Sequence, residues 1–177
     1  RVLEIEPKSI EALRDLGRIA VNEKQFDAAD KYFARIVQIA PEDAQGYQLL
    51  GESNLSRQNF VEAEKNLKLA IERDPKSRDA RFLLANAYVT NARPRDALPE
   101  IDNIIELDPN GIDGYVAKSQ IVMLLGKSSE AVAPLEQAVR LAPGNASVQG
   151  NLGSIYFNLG RNDDAITHLQ EAVRLDP

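Results

Sequence analysis

The chain has 177 residues, enough for an ordinary globular core, and its 44% hydrophobic and 27% charged content lies outside the disordered class. Its 21 basic against 27 acidic residues give a formal charge of −6, which argues against a nucleic-acid partner. Cys is absent and His168 is the single histidine, so disulfides, thiolate sites, multi-histidine metal sites and Ser-His pairs drop out, leaving carboxylates as the remaining catalytic option.

In chain order, the first feature is Leu3-Glu4-Ile5-Glu6-Pro7, which reads as the tail of a helix ended by proline. No apolar run approaches the roughly 18 residues of a membrane span, so no direct membrane insertion is expected. Arg1 to Lys8 carries no signal-peptide pattern. The first residue is Arg rather than Met, and the expectation is a segment of a longer protein. A chain without Cys slightly favours the cytoplasm, with a bacterial periplasm or envelope as the alternative.

Proline spacing then organises everything that follows. Pro7, Pro41, Pro75, Pro109, Pro143 and Pro177 stand 34 residues apart, in contexts such as Ile71-Glu72-Arg73-Asp74-Pro75 and Val173-Arg174-Leu175-Asp176-Pro177. A fixed period of this length predicts a solenoid of helix pairs. In the first pair, Leu13, Leu16 and Ala20, then Phe26, Ala29, Phe33 and Ile36, follow the three-and-four spacing of two helix faces. Gly17, Gly51 and Gly153 cost helix propensity of about 1 kcal/mol each relative to Ala, which points to close helix approach at those places. Ala29, Ala63, Ala97, Ala131 and Ala165 serve the same approach from the second helices. Gly126 and Gly160 are placed to end first helices in a left-handed turn. Pro94 falls at the start of a second helix, and Pro99 is expected within about the first turn of it. Pro134 is expected deeper, some five residues past the capping candidate Ser129. There it would remove a helical hydrogen bond and bend or hinge the helix.

Leu13, Leu16, Gly17, Ala20, Ala29, Phe33 and Pro41, repeated as Tyr47, Leu50, Gly51, Ala63, Leu67 and Pro75 and again in later units, resemble the tetratricopeptide repeat pattern. The fourth unit departs from it, with Lys118 and Ser119 in place of Leu and Gly. The resemblance divides the chain into the end of a preceding repeat (1–9) and repeats at 10–43, 44–77, 78–111, 112–145 and 146–177. It implies one all-α domain, a right-handed superhelical α-solenoid of antiparallel helix pairs whose first helices line a concave groove.

Carried over place by place, the groove candidates are Leu49, Glu52, Asp79, Phe82, Leu83, Asn86, Asp113, Val116, Gln120 and Leu124. The family's chaperone-tail binders grip a terminal carboxylate with Lys, Arg and Asn. Here Leu49, Leu83 and Asp79 stand in central groove places, so that clamp is not expected. Val21, Leu55, Val89, Met123 and Phe157 are apolar in every unit and fit packing between units. Phe82, Leu83, Val116 and Leu124 are apolar only in some units and are better binding candidates. Acidic Glu11, Asp15, Glu52, Asp79 and Asp113 outnumber Arg14 and Arg18, which favours an amphipathic protein segment with basic flanks.

The expected function is therefore a non-catalytic scaffold or adaptor segment holding a peptide or helix. The alternatives are a recognition region appended to a larger enzyme or assembly machine, and a self-assembly module. No cofactor or metal is expected. Val2, Leu3 and Ile5 at one end and Ile166, Leu169, Val173 and Leu175 at the other suggest weak head-to-tail self-association.

Overall fold

The computed structural model describes residues 8–177, so the expectations for Leu3 to Pro7 and the half-repeat they suggest lie outside the described residues. Ten helices run through the described residues. They are α1 (Ile10–Asn22), α2 (Phe26–Ile39), α3 (Ala44–Ser56), α4 (Phe60–Arg73), α5 (Arg78–Thr90), α6 (Pro94–Leu107), α7 (Ile112–Leu124), α8 (Val132–Leu141), α9 (Ala146–Asn158) and α10 (Asn162–Leu175). They pack in sequential antiparallel pairs, the fold expected from the repeat.

First helices begin at a recurring cap. The side chains of Ser9, Asp43, Ser77 and Asn145 accept from backbone N–H groups of the first turns of α1, α3, α5 and α9. Each cap satisfies a donor that the helix itself leaves unpaired, typically worth about 1 kcal/mol. Gly111 holds the place before α7 and offers no such side chain. Asn54 and Asn145 both head glycosylation triplets. Asn54 is buried inside α3, where its Nδ2 donates to the Leu50 carbonyl, and Asn145 is the cap of α9.

The helices divide into two compact units, one ending at Ala92 and one running from Arg93 to Pro177. In the first, Leu13, Ala20, Ala29, Phe33, Ile36 and Leu49 form one buried cluster across α1, α2 and α3. Burying a side chain of Phe33's size contributes about 1.5–3 kcal/mol. In the second, Leu135, Ala138, Val148, Leu152, Ile155, Tyr156 and Ala165 anchor the cluster joining α8, α9 and α10.

The close-approach glycines behave as the sequence suggests. A Cβ on Gly17 would lie 2.2 Å from the Phe33 ring, one on Gly51 2.5 Å from Leu67, and one on Gly153 2.8 Å from Leu169. The five facing alanines are all buried. Ser119, in the same column, keeps its side chain buried by donating its hydroxyl to the Ala131 carbonyl at 2.9 Å.

Two proline expectations need correction. Pro99 is the sixth residue of α6, beyond the first turn, and the helix continues through it without the N–H that would reach Arg95. Pro134 is not deep in its helix. Residues 128–131 form turns, α8 starts at Val132, and Pro134 takes its third place, where the missing donor has no intrahelical partner to lose. The ring would clash with the carbonyl four residues back, Glu130, so the chain gives up the first turn instead of bending.

Candidate partner-binding site

The second helices α2, α4, α6 and α8 each carry a carboxylate that holds the next first helix. In the unit ending at Ala92, Asp30 accepts from Ser53 Oγ at 2.8 Å and from Arg57 at 2.7 Å. Glu64 accepts from the Tyr88 hydroxyl at 3.2 Å. From Arg93 onward, Asp102 accepts from Lys118 Nζ at 2.7 Å, and Glu136 accepts from the Tyr156 hydroxyl at 2.6 Å. These ties orient the first helices and so the surface they present.

His168, the single histidine, belongs to that framework. Its Nδ1 lies 2.7 Å from Gln149 Oε1 and its ring stacks on Tyr156, with centroids 5.5 Å apart. Gln149 Nε2 donates to the Pro143 carbonyl, which leaves Oε1 as an acceptor and makes His168 Nδ1 the donor. The Arg161 guanidinium sits over the same tyrosine ring, 4.2 Å from its centroid. Burial, reinforced by the bond to Glu136, pushes the Tyr156 hydroxyl up to about 12.

The sequence-derived groove residues fall into two sets. On α3 and α5, Leu49 is largely a core residue, part of the Leu13–Phe33 cluster, and its remaining edge lines a cleft of about 270 Å³ with Arg18, Val21, Asn22 and Glu52. Phe82 and Leu83 are half-buried, Asp79 is exposed in the first turn of α5, and exposed Asn86 accepts from Thr90 Oγ1. On α7, Asp113 is exposed in the first turn, while Val116, Gln120 and Leu124 converge in a single cleft of about 360 Å³.

That second cleft contains no charged side chain. Val116, Met123, Leu124, Leu135 and Ile155 supply apolar surface, and Gln120, Asn151, Ser154 and Asn158 supply amides and a hydroxyl. Leu124 stands 62% exposed at its edge. Of these, Asn151, Ser154 and Asn158 on α9 were not among the ten site candidates, although they occupy groove places of the fifth unit. A larger cleft, about 570 Å³, opens where α6, α7 and α8 meet, around Lys118, Tyr115 and Pro134, and its one lysine is already paired with Asp102. Among the described residues no cluster of three potential metal ligands occurs, and no helix is long and apolar enough to cross a membrane.

Helix pairs with these caps, close-approach glycines and buried alanines define an α-helical repeat protein. Models of the tetratricopeptide repeat match residues 1–52, 54–121 and 117–177, and the chain belongs to that family, whose domains generally serve protein–protein interaction. No enzymatic domain is identified alongside them. No curated protein matches the chain. Among solved structures it is similar to MamA, with a TM-score of 0.78 at 19% identity over 91% of this chain and 94% of that one. YrrB, a TPR protein with an unusual peptide-binding site, gives 0.72 at 18% identity over 99% and 91%. A thermophilic TPR protein of Thermus thermophilus, TTC0263, gives 0.67 at 22% over 96% and 92%. Identities this low speak for the fold.

Proposed function

We propose that this chain is a non-catalytic interaction segment that holds a peptide or an amphipathic helix of a protein partner against its first helices. The observation that carries this reading is the uncharged cleft on α7 and α9, floored by Leu135 and Ile155 and edged by exposed Leu124. An amphipathic helix lays its apolar face into such a surface, and the unbranched side chain of Met123 adapts to its shape. Val116, Gln120 and Leu124 bind in this reading, with Asp113 beside them. In the unit ending at Ala92, Phe82, Leu83 and Asn86, with Leu49 at its exposed edge, play the matching part. Carboxylates at Glu52, Asp79 and Asp113 favour basic residues flanking the partner's apolar anchors. The peptide-binding site of YrrB, a protein of similar fold, supports a peptide as occupant. Repeat boundaries at 43/44, 77/78, 111/112 and 145/146 belong to the same proposal.

The test is fluorescence anisotropy with a synthetic helical peptide carrying Leu at three-and-four spacing and Lys at both ends, against a scrambled control. Leu124→Glu should weaken binding by about tenfold or more, equivalent to roughly 1.4 kcal/mol. The melting temperature should stay put, because this side chain already faces water. Equal binding of the scrambled peptide, or of the variant, overturns the proposal.

A further inference from the structure

Three departures from the repeat pattern meet where α6, α7 and α8 come together. Lys118 stands at the place where Leu50 and Leu152 pack into buried clusters. Pro134 stands at the place of His168, and turns at 128–131 replace the first turn of a second helix. At the next step, α8 to α10, the counterparts of Tyr115 and Pro134 are Gln149 and His168, which bond to each other at 2.7 Å. Between α6 and α8 no such bond forms. Pro134 has no polar group to offer, Lys118 Nζ goes to Asp102 at 2.7 Å, and the cleft of about 570 Å³ stays open.

This cleft is separate from the uncharged one. At roughly 100° per residue, Tyr115 and Lys118 stand about half a turn of α7 away from Val116, Gln120 and Leu124. Its lining sets the carboxylates of Asp102, Glu106 and Glu130 against one ammonium. Lys118 engages Asp102, and exposed Glu130 accepts from Lys127 at 2.9 Å. The Tyr115 ring and Pro134 supply apolar walls, and the Tyr115 hydroxyl is anchored on the Pro109 carbonyl at 3.1 Å. An equivalent tyrosine shows what such a ring takes. Tyr47 holds the place of Tyr115 on α3, and the Arg73 guanidinium lies over it, 5.8 Å from the centroid. Arg73 also donates to the Pro41 carbonyl at 3.2 Å and pairs with Glu42 at 3.4 Å. The counterpart of Arg73 on α8 is Leu141, which brings no cation to Tyr115.

We propose that the cleft between α6 and α8 takes an arginine side chain from a basic segment of a partner protein. The guanidinium lies against the Tyr115 ring, and Glu106 and Glu130 answer its charge. A guanidinium suits the place better than an ammonium, because its plane covers an aromatic face while its fork bonds carboxylates. The site does not rest on the apolar groove reading, since the two clefts open on different sides of α7 and differ in charge.

The probes are a labelled Gly-Arg-Gly-Arg-Gly peptide and the same peptide with citrulline, which keeps the shape of arginine and removes its charge. Fluorescence anisotropy should show the citrulline form binding at least tenfold more weakly. Glu106→Gln combined with Glu130→Gln should weaken the arginine peptide about tenfold with an unchanged melting curve, because both side chains are exposed. Glu23→Gln combined with Glu72→Gln removes the same charge from exposed places elsewhere and should leave binding as it was. In an amide titration by NMR, Tyr115 and Lys118 should shift while the Met123 methyl, in the other cleft, stays fixed. No binding of the arginine peptide at millimolar concentration, equal binding of the two peptides, equal losses in the two double variants, or shifts centred on Met123 would each overturn the proposal. None of these outcomes touches the groove reading, which is tested with a peptide that lacks arginine.

Discussion

In the unit ending at Ala92, the turns after α1, α3 and α5 pass through Lys24, Gln58 and Ala92 with φ of 60°, 61° and 56°. In the unit beginning at Arg93, the same turns fall on Gly126 and Gly160, at 75° and 73°. The hydrogen bonding is alike: Gln25 N–H reaches back to Ala20, Asn59 to Asn54, Lys127 to Val122 and Arg161 to Tyr156. A shared backbone device is thus built at different cost, since a side chain in left-handed backbone is disfavoured by about 1–2 kcal/mol. The carboxylate ties also differ. In the 34-residue register Asp30 and Glu64 stand four residues earlier than Asp102 and Glu136 do. The teaching is that repeat geometry is enforced by backbone and core, while the groups that fasten it are exchangeable.

The largest effect that can break this comparison lies at the close-approach column. Gly51→Leu drives methylenes into Leu67 and should cost about 1–3 kcal/mol in urea titration. Gly51→Ser should cost less but remain destabilising, because α4 keeps the full first turn that α8 lacks beside Ser119. Equal stability of parent and Gly51→Leu would mean that these helices are not closely apposed.

Next comes the turn column. Gly126→Ala meets open space, so its loss of about 1 kcal/mol is purely a backbone effect. Gln58→Gly should gain about 0.5–1 kcal/mol, with relief of strain outweighing the looser unfolded chain. Both are read from denaturant midpoints at constant slope. Opposite signs from these would show that the two units do not share the turn.

The smallest effect is alkaline. Burial, then the bond to Glu136, raises the Tyr156 hydroxyl from 10.0 to about 12, and burial and the charge of Glu64 raise Tyr88 in the same direction. A raised folded value favours the neutral phenol in the native state. That stability is whole below pH 10 and is lost as the pH climbs toward 12. Tyr156→Phe should flatten this limb of stability against pH, and an unaltered slope would remove Tyr156 from it.

What the sequence made legible was what repeats. Proline spacing, the glycine column and the five alanines each recur, so packing reasons could be read from period alone. Single departures were harder. Pro134 acts through the carbonyl of Glu130, and whether a helix bends or sheds its first turn depends on what the neighbours tolerate. Lys24, Gln58 and Ala92 give no signal, since none is glycine. Leu49 shares a groove place with Leu83 but sinks into the Phe33 cluster, because α1 and α2 close over it. At the candidate site, Val116, Gln120 and Leu124 were named from their repeat places; Asn151, Ser154 and Asn158 hold groove places of the fifth unit too, and it is the shared cleft that sets them beside α7.

Met123 is the sequence's single methionine, half-buried and lining the uncharged cleft. A methyl-labelled sample titrated with the Leu-rich, Lys-flanked peptide therefore reports on that cleft through one resonance. This resonance is expected to shift and saturate with the helical peptide, to stay fixed with the scrambled one, and in Leu124→Glu to need about tenfold or more peptide for the same shift. Peptide binding that leaves the Met123 methyl unmoved would contradict that expectation.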